Sequence, residues 1–113
     1  MHEISLCQAI LQIIEEQSVL QNFVKVNRVN LEFGALAVVD EQALRFAFDV
    51  VKRDSIAEAA DLHIIHLAAQ AKCLLCMKMV NIKQRFDACP DCGSYELQVH
   101  TGDELRVKAL EVE

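Results

Sequence analysis

Apolar side chains recur over the start of the chain at Ile4, Cys7, Ile10, Leu11 and Ile14, the spacing that lines one face of a helix. The pattern predicts a helix from about Ile4 to Ser18, with Ser5 and Gln8 spaced as a capping box, or a first turn nearer Glu3. The period then changes. Over residues 24–33 apolar and polar positions alternate, with one slip at Asn27-Arg28, and Gly34 follows. A period of two describes a strand with one buried face. Asp40 stands where an N-cap belongs, ahead of Leu44, Ala47, Phe48 and Val51, which share one side of a second helix ending near Arg53. Residues 62–68 and 104–112 read as two further strands. The expected fold is α+β, a small three-stranded sheet flanked by two helices, built from residues 1–70 plus 101–113. Residues 71–100 do not share these patterns and read as an inserted module.

That module holds four of the five cysteines and the only proline. It runs Cys73-Leu-Leu-Cys76, twelve residues, then Cys89-Pro-Asp-Cys92-Gly93. Two Cys-x-x-Cys knuckles at this separation converge on one tetrahedral ion with Zn–S near ~2.3 Å, and the twelve residues between are expected to make a hairpin. A dithiol redox catalyst carries one such motif at a helix start, so a matched pair points to metal. Four thiolates fill the coordination sphere and leave no place for a catalytic water. Cys73, Cys76, Cys89 and Cys92 are therefore expected to bind one structural Zn(II) per chain in a zinc-ribbon-like module, without enzymatic activity. Leu74, Leu75, Met77, Met79, Val80, Ile82, Phe86 and Tyr95 are the candidates for its small core. So short a segment buries too little on its own, and metal binding would supply its folding free energy.

Charge narrows the classes of partner. The 113 residues carry 17 acidic and 11 basic side chains, a net charge of −6 interspersed without blocks. That argues against nucleic acid and anionic membranes. Within the module Lys72, Lys78, Lys83 and Arg85 face Asp87, Asp91 and Glu96, a poor electrostatic footprint for a nucleic-acid binder. No stretch approaches the ~20 apolar residues of a membrane span, and the first residues lack the pattern of a secretory signal. A cytoplasmic protein is expected, in which paired cysteines bind metal rather than form disulfides.

The chain opens Met1-His2-Glu3. A terminal amine, the His2 amide nitrogen and its imidazole Nδ1 form fused chelate rings in one plane. The Glu3 amide or carboxylate is available for the fourth corner. Such square-planar nitrogen coordination suits Ni(II) or Cu(II), whereas zinc prefers a tetrahedron. Histidine is not small, so the initiator methionine is expected to stay. A histidine at position two is more often simply exposed. Asp40, first an N-cap, and His100, next to the return from the module, are further candidates for the ion. His63 and His66, three apart on a strand, point to opposite faces and do not chelate together. Cys7 reads as core.

With MetHisGlu at the start, GluPheGlyAlaLeu at 32–36, AlaLeuArgPheAlaPheAsp at 43–49 and the paired knuckles, the chain resembles the HypA/HybF family of hydrogenase maturation proteins over essentially its full length. The resemblance implies a nickel metallochaperone with a nickel-binding domain and a zinc domain. Its transported, exchangeable Ni(II) would go to the large-subunit precursor of [NiFe]-hydrogenase. In the family His2 is the essential nickel residue, beside the amine of Met1 and Glu3, and the zinc ligands fall on Cys73, Cys76, Cys89 and Cys92. A HypB-type GTPase is the implied partner. This chain has no Gly-x-x-x-x-Gly-Lys-Ser/Thr stretch of its own, so nucleotide dependence would come from outside. No histidine directly follows either knuckle, unlike some members, which argues against histidine-dependent switching of the zinc site. The chain is expected to be a monomer or a homodimer, its C-terminal strand being suited to pairing between copies. The rival class is a zinc-ribbon module binding protein or nucleic acid, with no transported metal.

Overall fold

The computed structural model describes residues 3–113. Helix α1 (Glu3–Gln21) buries Cys7, Ile10 and Ile14 of the stripe read from the sequence, while Leu11 is half-buried and Ile4, in the first turn, is exposed. Being helical already at Glu3, it places Ser5 inside its first turn rather than at its cap. It also outruns that stripe by about two turns, leaving Val19 and Leu20 exposed. The side-chain hydrogen bond from Gln21 to Gln17 supports this extension, which no apolar period signals. Asn22, in the left-handed region at φ 59°, ends the helix.

Strand β1 (Val26–Gly34) shows the slip at Asn27-Arg28: both are exposed, while Val26 and Val29 on either side are buried. Helix α2 (Glu41–Val51) begins at Asp40, whose Oδ1 accepts from the Ala43 N–H at 3.1 Å. It buries Leu44, Ala47 and Phe48. The Cys7 thiol donates to the Leu44 carbonyl at 3.5 Å, tying α1 to α2.

Strands β2 (Asp61–Leu67), β3 (Ala69–Cys73), β4 (Met79–Ile82), β5 (Leu97–Thr101) and β6 (Leu105–Val112) complete the chain. They form two three-stranded sheets, ordered β2-β1-β6 and β4-β3-β5. The expected α+β architecture, two helices on a small sheet with a ribbon inserted before the last strand, is the one observed. Two compact units result, one comprising the chain through Leu31, Val39–Ile64 and Arg106–Glu113, the other Glu32–Val38 and Ile65–Leu105.

The second unit departs from the sequence in two respects. Its hairpin is not the segment between the knuckles. Antiparallel β3 and β4 pair Ala69 with Ile82 and Lys72 with Met79, so the first knuckle itself is the turn. Nor do the large apolar residues make its core: of the eight candidates only Val80 and Ile82 are buried, and Leu74, Leu75, Met77, Met79, Phe86 and Tyr95 are exposed. The core is instead Leu36, Ala69, Ala71, Cys73, Val80, Ile82 and Cys89. Strands of four or five residues offer few inward positions. Here alanines and thiols take most of them, and Leu36 arrives from the loop after β1.

Two glycines let backbones touch in this unit. A Cβ on Gly34 would collide with the carbonyl of Gly102, and one on Gly102, at φ +122°, would lie 2.5 Å from the Ala69 Cβ.

Candidate metal centre

The four sulfurs come from the two knuckles. Cys73 ends β3, Cys76 closes the turn after it, and Cys89 and Cys92 belong to the loop ahead of β5. The knuckles fold alike. Met77 N–H donates to the Cys73 carbonyl at 2.9 Å, and Gly93 N–H donates to the Cys89 carbonyl at 2.8 Å. Both donors, each one residue past a second cysteine, sit in the left-handed region, Met77 at φ 64° and Gly93 at φ 80°. Cys73 N–H donates to the Lys78 carbonyl at 2.9 Å and Cys89 N–H to the Ser94 carbonyl at 2.7 Å, a second backbone hydrogen bond across each turn.

All four Sγ atoms lie within 4.8 Å of one another. Cys73 and Cys92 are 3.5 Å apart, and Cys76 and Cys89 are 3.8 Å apart. A tetrahedron with Zn–S near ~2.3 Å has sulfur–sulfur edges of about 3.8 Å, so this donor set fits a zinc-sized ion. Among the described residues, these are the metal-ligating side chains brought together as a group.

The electrostatics point the same way. The Cys76 N–H, 3.4 Å from the Cys73 sulfur, leads a set of donors that lowers the Cys73 thiol to about 6, with the Leu75 N–H and the thiols of Cys92 and Cys76 adding to it against burial. At Cys92 the Ser94 N–H pulls downward, but the Cys73 side chain, burial, Cys89 and Cys76 together push the thiol up to about 12. Cys76 is likewise raised: the Lys78 N–H lowers it, and burial with the neighbouring Cys73 and Cys89 outweighs that. One thiol ionises readily and its neighbours then resist. A divalent cation at the centre removes that conflict.

Gly93 isolates the value of the left-handed turn, because nothing lies within 4 Å of a Cβ built on it. Gly93→Ala is expected to cost about 1 kcal/mol of backbone strain, a roughly fivefold loss of zinc affinity in competition with a chromophoric chelator.

The other candidates are dispersed. Met1 and His2 lie outside the described residues. Glu3 is half-buried in the first turn of α1, where a carboxylate favours the helix dipole. Asp40 spends one carboxylate oxygen on its cap. His100 is exposed on β5. His63 and His66 are exposed on β2, and the His66 ring tilts against Phe33 at 6.2 Å. Cys7 is fully buried, and burial, followed by the charge of Glu3, pushes its thiol up to about 11, as befits core. Sequence reasoning missed the carbonyls of Lys78 and Ser94 and the left-handed Met77. Gly93 alone carried a visible signal.

A two-helix α+β fold with a four-thiolate ribbon defines a small metal-binding protein of two compact units. The family model described as hydrogenase/urease nickel incorporation, metallochaperone, hypA matches residues 1–112. Proteins named hydrogenase maturation factor HypA are similar along their whole length: that of Acidithiobacillus ferrooxidans at 58% identity over 113 residues, 100% of both chains, and that of Azotobacter vinelandii at 52% over the same span. The solution structure of the Ni metallochaperone HypA from Helicobacter pylori shares the fold at TM-score 0.70 and 22% identity, covering 97% of this chain and 96% of its own. A second HypA solution structure does so at TM-score 0.74 and 23% identity, covering 100% and 97%. The chain belongs to the HypA family of nickel metallochaperones for hydrogenase maturation, a family of maturation factors rather than catalysts. No helix among the described residues is long and apolar enough to cross a membrane.

Proposed function

We propose that the chain carries Ni(II) at Met1, His2 and Glu3 and delivers it to the large-subunit precursor of [NiFe]-hydrogenase, assisted by a HypB-type GTPase in the cytoplasm. The nickel function belongs to residues 1–70 plus 101–113. The zinc domain, 71–100, holds one Zn(II) on Cys73, Cys76, Cys89 and Cys92. The observation that carries the nickel reading is family membership over residues 1–112 in a chain whose second residue is histidine. An amine, an amide nitrogen and an imidazole in succession suit the planar coordination Ni(II) prefers over the zinc tetrahedron. Handover favours an accessible cargo site, and retention favours the thiolate cage.

The amine and the imidazole must lose protons to bind, so protons compete with nickel. Below the imidazole value of ~6.5 both are cationic and affinity falls. Calorimetric titration is expected to show clear binding at pH 7.5 and at least a tenfold loss at pH 5.5; equal affinities would exclude an imidazole–amine clamp. His2→Ala, or acetylation of the terminal amine, should abolish nickel uptake and hydrogenase maturation while one zinc per chain remains. Full nickel uptake by both modified proteins would leave the zinc-ribbon interaction module as the better reading.

A further inference from the structure

The four sulfurs of the centre divide into accessible and enclosed ones. Cys92 is exposed and Cys76 half-buried, while Cys73 and Cys89 are buried. Each sulfur that solvent reaches is in contact with a buried one: Cys92 with Cys73 at 3.5 Å, and Cys76 with Cys89 at 3.8 Å. Both contacts run from one knuckle to the other. An accessible thiolate with a second sulfur beside it is the arrangement in which oxidation stops at a disulfide, because the neighbour condenses with the sulfenic acid before more oxygen is added.

We propose, on the reading of these cysteines as zinc ligands, that hydrogen peroxide converts the centre into two disulfides between the knuckles, Cys73 with Cys92 and Cys76 with Cys89, which keep the ribbon folded after the ion has left. The Cys92 thiolate attacks one peroxide oxygen, the O–O bond breaks, hydroxide leaves and a sulfenic acid remains. Cys73 then attacks that sulfur, so the S–S bond forms and the oxygen leaves as a second hydroxide. Cys76 and Cys89 repeat the sequence with a second peroxide. Each peroxide takes two electrons from one sulfur pair, and four protons from solvent turn the four hydroxides into water. With its donors consumed, the ion is released.

The two bonds are nested, Cys76–Cys89 inside Cys73–Cys92, so one chain holds both. They join the end of β3 and the turn after it to the loop ahead of β5, the same segments that an ion on the four sulfurs joins. Bonds within the knuckles would each enclose two intervening residues and leave the halves of the ribbon separate. A longer closed loop restricts the unfolded chain more, so the bonds between knuckles hold the ribbon where bonds within them do not. A dithiol reductant reverses both by exchange and returns four thiols to the ion.

Zinc per chain is measured on the reduced protein first, so that a failure of the zinc reading shows before oxidant is added; the disulfide pattern is read from the same sulfurs at either metal content. Excess hydrogen peroxide should then release one zinc per chain to a chromophoric indicator. After remaining thiols are alkylated, cleavage after lysine and arginine places Cys73 and Cys76 in residues 73–78 and Cys89 and Cys92 in residues 86–106. Mass spectrometry should find these two peptides joined in one species, lighter than their sum by four hydrogens. Further digestion, with chymotrypsin after Leu74 or Leu75 and with Asp-N before Asp91, should resolve it into the two named pairs. Amide NMR shifts of 69–101 should stay dispersed in this zinc-free form and collapse when dithiothreitol is added with a chelator, whereas dithiothreitol with zinc restores the original spectrum. Two separate peptides, each lighter by two hydrogens, overturn the proposal. So do sulfinic acids in place of disulfides, thiols that peroxide leaves reduced, or a linked ribbon whose amide shifts collapse.

Discussion

Removing the metal from the four cysteines with a strong chelator is expected to unfold residues 69–101 while α1 and α2 persist. Three short strands enclose a core whose buried aliphatic side chains are Leu36, Val80 and Ile82, with Leu97 partly buried against them, the rest being alanines and cysteines. Six large apolar residues lie on the surface and contribute little burial. Structural zinc on thiolates contributes about 10–16 kcal/mol, far more than the few buried side chains supply. Without it the sulfurs, at 3.5 and 3.8 Å, are joined only by weak thiol hydrogen bonds, and Cys76 and Cys92, both raised, stay protonated. Amide NMR shifts of 69–101 should collapse toward random-coil values while helical ellipticity is largely retained. Cys73→Ala should do the same without chelator. A dispersed spectrum for these residues after verified zinc removal would show the small core to be sufficient.

Gly34→Ala is expected to cost about 3 kcal/mol or more, read as a lower urea midpoint. The new methyl would meet the carbonyl of Gly102, with the Glu104 nitrogen at 2.8 Å. These are backbone atoms, so no flexible side chain can give way. They are also committed: Gly34 N–H donates to the Glu104 carbonyl at 2.8 Å and Leu36 N–H to the Gly102 carbonyl at 2.6 Å. Relief would break the bonds joining the end of β1 to the turn before β6. Leu36 shows whether it does, since displacing this loop takes a core residue from the second unit. A midpoint shift equivalent to less than about 1 kcal/mol would show that the turn yields.

What the sequence disclosed follows from how local each determinant is. Both helices were legible because Cys7, Ile10 and Ile14, and Leu44, Ala47 and Phe48, repeat at the helical period and because Asp40 caps through its own side chain. Even the irregularity of β1 was visible, as two polar residues in succession. The cysteine centre was legible because ligand type and spacing alone define a knuckle. The ribbon core was not, because hydrophobicity says nothing about which way a side chain points on a strand of four residues. Met79 and Val80 look equivalent in sequence, yet the first is exposed and the second buried. The Gly34–Gly102 contact joins residues far apart in the chain, and no period records it.

Each knuckle closes its own turn through a backbone hydrogen bond from the residue after its second cysteine. An ion captured by one pair of sulfurs meets the other pair, twelve residues along the chain, at high effective concentration. Loading can proceed two ligands at a time, and escape requires both halves to let go before either recloses. Retention is thereby set by the slow coincidence of two openings, so an ion held there stays through many encounters in which a cargo ion bound by one short segment would be lost.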